Sequence, residues 1–69
     1  MKLTDREKQV LQLAANGLST PAIGGVLGLS ESTTKSHLHN IYAKWGLLKS
    51  DKHPKVLAIV RAIKEGVIK

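Results

Sequence analysis

Three side chains able to donate or exchange hydrogen bonds at neutral pH, Lys35, Ser36 and His39, lie close together in the stretch 30–45, SESTTKSHLHNIYAKW. On a helical wheel stepping about 100° per residue from Thr33, they fall with Ala43 at roughly 200–300°. Thr34, Leu38, Ile41 and Trp45 fall at roughly 80–140° on the same wheel. One side of the stretch is therefore suited to burial. The other is a hydrogen-bonding, cationic strip without a carboxylate, which suits a polyanionic partner. Ser30 is a good N-cap for such a helix, and Gly46 is a residue type that commonly ends one.

Other chemistries find no support in the residue types. His37 and His39 are two apart, so on a helix they point about 160° from each other and cannot share an ion. His53 has only Asp51 near it in sequence, so no metal site is expected. The segment Gly24-Gly25-Val26-Leu27-Gly28 lacks the Lys-Ser/Thr that completes a phosphate-binding loop. The serines and threonines cluster at helix starts, where capping accounts for them. A small helical domain offers little concave surface for a substrate. Catalysis is not expected, and no cofactor is implied.

Length and composition narrow the partner. A chain of 69 residues is read as one domain, 1–69, with a stability margin of about 3–5 kcal/mol. It contains no Cys, which is compatible with a reducing cytoplasm. No apolar run approaches the ~20 residues needed to cross a bilayer, and the start of the chain has no secretory pattern. No membrane association is expected, and the location read from these features is cytoplasmic. Eleven Lys/Arg against five Asp/Glu give a formal charge of +6. The excess favours an anionic partner, nucleic acid before acidic lipid. With one Trp, one Tyr and no Phe, the chain lacks a base-stacking platform, which counts against single strands and structured RNA. The length also suggests an excised domain, with any regulatory part outside this chain.

The elements that would position the strip read in order. Thr4-Asp5-Arg6-Glu7 has capping-box spacing and predicts a helix over about 5–16, with Val10, Leu11, Ala14 and Ala15 inward. Asn16-Gly17 ends it, and Leu18 reads as a plug between helices. Ser19-Thr20-Pro21 predicts a short helix over about 21–27. Gly24 and Gly25 each cost about 1 kcal/mol relative to Ala within it. Close approach of another helix backbone would explain them, and so would simple tolerance. Gly28-Leu29-Ser30 then forms a tight connector into the helix over about 31–45. A short helix, a Gly-containing turn and a longer helix make the helix-turn-helix layout. The segment 46–54 reads as a loop, with Ser50-Asp51 and Pro54 as breakers and Leu47 and Leu48 tucked onto the core. A last helix over about 55–64 is expected to turn Val56, Ile59, Val60 and Ile63 inward. Lys55, Ala58 and Ala62 lie on another side, a small-residue strip that reads equally as a close dimer seam or as a solvated flank.

Taken together, Leu3-Thr4-Asp5-Arg6-Glu7, Val10-Leu11, Ala15-Asn16-Gly17-Leu18-Ser19, Ile23, Leu27-Gly28-Leu29-Ser30, Thr33-Thr34-Lys35-Ser36-His37 and Lys44-Trp45-Gly46 resemble LuxR/FixJ/NarL-type helix-turn-helix domains. The match is close over residues 3–46 and looser beyond. It implies an all-α fold: a four-helix bundle containing a helix-turn-helix, with the third helix as recognition helix. It also implies the output domain of a bacterial transcription regulator, such as a response regulator or quorum-sensing receptor. Such domains bind double-stranded DNA as homodimers, with the third helix in the major groove and the fourth at the dimer contact. Position by position, the resemblance assigns base contacts to Lys35, Ser36 and His39. Thr20, Ser32, Thr33, His37, Asn40 and Lys44 are expected at phosphates, although capping explains Thr20, Ser30 and Ser32 equally well. Lys55, Ala58 and Ala62 are expected at the dimer interface. RNA polymerase and an N-terminal regulatory domain are further implied partners.

This sequence departs from the family pattern at several positions. Thr34 stands where an apolar residue is usual, so its hydroxyl needs a partner. Trp45 replaces a usual Leu and enlarges the plug at the end of the third helix. Gly25 stands where a larger residue is expected, and Thr20-Pro21 replaces a basic residue. The segment 46–66 is longer than its family equivalent. The competing expectation is a helical protein–protein interaction module, which should not bind random duplex DNA at low salt.

Overall fold

The computed structural model describes residues 2–49 and 53–69. Ser50 and Asp51, read above as loop breakers, lie outside the described residues. Four helices and no strand are present among the described residues: α1 Asp5–Ala15, α2 Thr20–Leu27, α3 Glu31–Lys44 and α4 Pro54–Lys64.

Local signals account for most of the boundaries. The Thr4 hydroxyl accepts from the Glu7 amide at 3.1 Å, while the Glu7 carboxylate accepts from the Thr4 amide at 2.8 Å. This reciprocal box satisfies two amides that the first turn of α1 leaves without helical partners. Ser19 caps α2 by accepting from the Ala22 amide, and Ser30 caps α3 by accepting from the Thr33 amide. Capping from Ser19 starts α2 at Thr20, one residue before the proline. Gly28 ends α2 at φ 70°, a left-handed conformation that costs residues with a Cβ. α4 begins on Pro54 without a side-chain cap from His53.

The core is Leu3, Val10, Leu11, Ala14, Ile23, Leu38, Ile41, Ala58, Ala62 and Ile68. Burying a side chain such as Leu11, Ile23 or Ile41 contributes about 1.5–3 kcal/mol. The chain does not end its packing at Gly66. Ile68 is buried, and the Gln12 amide group donates to the Lys69 carbonyl at 3.0 Å and accepts from its amide at 2.8 Å.

The corner between α2 and α3 is set by Gly24. A Cβ there would stand 2.6 Å from the Leu29 carbonyl oxygen and 3.0 Å from the Thr34 hydroxyl. The close neighbours are thus the turn backbone and one side chain of α3, not another helix's backbone. Gly25 has open space around it, so tolerance explains that residue. The Thr34 hydroxyl is fully buried and donates to the Ser30 carbonyl at 2.9 Å. That bond meets the need created by placing Thr at an apolar position.

The fourth helix faces the opposite way from the expectation. Ala58 and Ala62 are fully buried, whereas Val56, Val60 and Ile63 are 57%, 43% and 52% exposed. Ile59 lies between, packed partly against the core. Ala58 and Ala62 therefore cannot form a dimer seam. α4 packs on both α1 and α3, and small side chains allow it to approach them closely. Leu48 likewise departs from expectation: it is exposed, while Leu47 alone packs partly against the core.

Candidate nucleic-acid interface

α3 is held from three directions. Leu38 and Ile41 are buried beneath it, and the buried Thr34 in its first turn lies close against Gly24 of α2. At its far end Trp45 packs partly against the core, with the Arg61 guanidinium of α4 lying 4.7 Å above the indole centroid. Such a stack contributes about 0.5–1 kcal/mol near a surface.

The side opposite this anchorage is open. Lys35, Ser36 and His39 are all exposed, as the wheel requires. Ser36 donates its hydroxyl proton to the Ser32 carbonyl at 3.1 Å. Its oxygen lone pairs then face outward, so it can accept from a base amine such as cytosine N4 or adenine N6. Lys35 is not isolated on this strip. Its ammonium lies 3.3 Å from the Glu31 carboxylate one turn earlier. Glu31 was not singled out by sequence reasoning, although its i,i+4 spacing to Lys35 was a visible signal.

The expected phosphate contacts divide into three groups. Ser32 and Thr33 are exposed on the first turn of α3, and Thr20 is half-buried on the first turn of α2. Thr33 also accepts a hydrogen bond from the Ser30 hydroxyl at 2.9 Å. His37, Asn40 and Lys44 line a shallow groove of ≈ 510 Å³ with Thr4, Glu7 and Ala43. Asn40 is exposed there and His37 half-buried.

Lys44 is placed otherwise than expected. Its ammonium pairs with the Glu7 carboxylate at 2.6 Å, the two side chains being 19% and 4% exposed. It also reaches the Lys2 carbonyl at 3.5 Å. Phosphate contact would require breaking a largely buried ion pair, so Lys44 braces α3 against α1 instead. Burial alone would raise the Glu7 pKa. The Lys44 hydrogen bond, with the Thr4 donors and the Lys44 charge, outweighs it and holds the carboxyl below its usual range. Lys55 is half-buried at the start of α4. Val56, Val60 and Ile63, expected inward from the sequence, are exposed on this helix. They share one side at i, i+4 and i+7, opposite Ala58 and Ala62.

The arrangement defines a helix-turn-helix domain with an exposed, cation-bearing second helix. Residues 1–52 match the family model described as bacterial regulatory proteins, luxR family (GerE), and the chain belongs to that family. The family is one of bacterial regulatory proteins. The transcriptional regulatory protein DegU of Brevibacillus brevis is 42% identical over 67 residues, covering 97% of this chain and 26% of DegU. YxjL of Bacillus subtilis (strain 168), an uncharacterized transcriptional regulatory protein, is 40% identical over 65 residues, 94% of this chain and 28% of YxjL. The transcriptional activator protein SolR of Ralstonia solanacearum is 39% identical over 66 residues, 96% of this chain and 26% of SolR. The chain spans about a quarter of the length of these relatives. Among the described residues, no helix is long and apolar enough to cross a membrane.

Proposed function

We propose that this domain binds double-stranded DNA sequence-specifically as the output domain of a bacterial transcription regulator in the cytoplasm. α3 reads the major groove through Lys35, Ser36 and His39, and the first turns of α2 and α3, with His37 and Asn40, meet phosphates. The observation that carries this reading is the exposed Lys35–Ser36–His39 strip on a helix braced by Thr34, Leu38, Ile41 and Trp45. The names of DegU, YxjL and SolR, all of them transcriptional regulators, support it. An N-terminal regulatory domain and RNA polymerase are the further partners this role entails.

The domain pairs on a two-fold DNA site through α4, using Val56, Val60 and Ile63 instead of the alanines. An apolar stripe on the outer side of a surface helix loses contact with water when a second copy covers it.

The test is a gel shift on random duplexes at two salt concentrations, followed by selection of bound sequences. Binding should weaken with salt at a log–log slope of about −0.9 per phosphate neutralised. Lys35→Ala and His39→Ala should each cost about 1–3 kcal/mol of specific binding while leaving the helical circular dichroism intact. Equal discrimination between selected and scrambled duplexes by both variants and the wild type would refute the assignment. No binding of any duplex at low salt would favour the protein-interaction reading.

A further inference from the structure

Glu31 is the one carboxylate in the segment Glu31–Lys44, and it occupies the first position of the helix that the preceding reading lays in the major groove. Its stabilising roles are small and replaceable. An acidic residue suits the positive end of the helix dipole, and an exposed i,i+4 pair with Lys35 contributes little. Both partners are exposed, and their charged ends stand 3.3 Å apart. On the wheel used above, Glu31 lies at roughly 160° and Lys35 at roughly 200°. The pair therefore edges the strip formed by Ser36 and His39.

A carboxylate brought against duplex DNA meets phosphate repulsion nearly everywhere. The exceptions in the major groove are the exocyclic amines, above all cytosine N4, which donate to Asp and Glu. The adjoining Lys35 ammonium can donate only, and guanine O6 and N7 accept from it. One helical turn thus presents an acceptor and a donor side by side, matched to a cytosine next to a guanine. Away from such a pair of bases, Glu31 holds Lys35 and reduces its availability to phosphates.

We propose that Glu31 is a specificity-determining residue: it reads a cytosine amine in the target and withholds Lys35 from non-target DNA. The proposal rests on α3 being the DNA-reading helix, so the experiment separates the two. Wild type, Glu31→Gln and Lys35→Gln are compared on the selected duplex and a scrambled one at two salt concentrations, and each is put through sequence selection. Glutamine matches glutamate in size and helix propensity, and circular dichroism checks that the fold is kept.

Glu31→Gln should bind the scrambled duplex about three- to tenfold more tightly, with a salt slope steeper by about one phosphate equivalent. Its ratio of selected to scrambled affinity should fall about tenfold, with cytosine preference lost at one position of the selected site. Lys35→Gln should relax the neighbouring guanine. A ratio unchanged from wild type overturns the role of Glu31, whatever happens to the absolute affinities. Uniform relaxation at every position also overturns it, because general electrostatics would then suffice. A wild-type domain that fails to discriminate between the duplexes overturns the underlying reading of α3, and this proposal with it.

Discussion

α3 and α4 are both surface helices packed on α1, yet the side each turns inward was legible for only one of them. α3 carries Lys35, Ser36, His39 and Asn40 on one side and Leu38 and Ile41 on the other. Only one orientation keeps Lys35 and its polar neighbours in water, and the structure adopts it. α4, PKVLAIVRAIK, is apolar around most of its circumference, so periodicity alone does not orient it. Reading its larger side chains as the inward ones reversed the helix. A buried side depends on the space available, and the gap left by α1 and α3 takes Ala58 and Ala62. The same comparison separates two ways of exposing a surface. α3 presents polar groups whose exposure costs nothing, whereas α4 presents valine and isoleucine, which gain from being covered.

Three measurements would break or sharpen this contrast, in decreasing order of expected effect. Ala62→Leu adds volume where the side chain is fully enclosed, and overpacking of this kind costs about 1–3 kcal/mol. In so small a domain that is a large share of the total, and the urea midpoint should fall accordingly. A variant as stable as wild type would mean that α4 does not turn its alanines inward.

The second concerns the brace between α1 and α3. Glu7→Gln keeps the shape but removes the charge that Lys44 meets at 2.6 Å. It should lose about 1–2 kcal/mol at neutral pH, since hydrogen bonds between charged groups are stronger than neutral ones. The pH dependence follows from the lowered pKa of Glu7. Below neutrality the unfolded carboxyl takes up a proton before the folded one does. The contribution is therefore complete above the ordinary carboxylate range and is lost as pH falls through the folded value. The stability gap between wild type and variant should narrow as pH drops through and below the ordinary carboxylate range. A gap that stays constant over that interval would remove the ion pair from the account.

The smallest effect on stability is expected at the outer stripe. Val60→Asp should change the unfolding free energy by no more than about 0.5 kcal/mol, as befits an exposed position. Sedimentation of the two proteins with a two-site duplex should nevertheless show paired binding weakened in the variant. Wild-type pairing by Val60→Asp would move the contact elsewhere.

Several further features show where legibility stopped. The capping box of Thr4 and Glu7 was visible as a four-residue spacing, but the Lys44 that completes it is 37 positions away. The same gap hid the true role of Lys44, which in sequence is simply one more cation on α3. Gly24 and Gly25 look alike in the chain, and only the Leu29 carbonyl distinguishes them. The Gln12 clamp on Lys69 joins residues 57 apart, and nothing local announces it.

What the chain determined without help was whatever depends on neighbours within a turn or two: the helix starts at Thr4 and Ser30, the turn at Gly28, and the polar strip on α3. These rest on backbone hydrogen bonding and a period of 3.6, both local properties. Only the tertiary structure decided which side of α4 enters the core, which glycine is crowded, and that Lys44 binds Glu7. Those outcomes depend on distances between segments remote in sequence, where packing selects among arrangements that local pattern leaves equally acceptable.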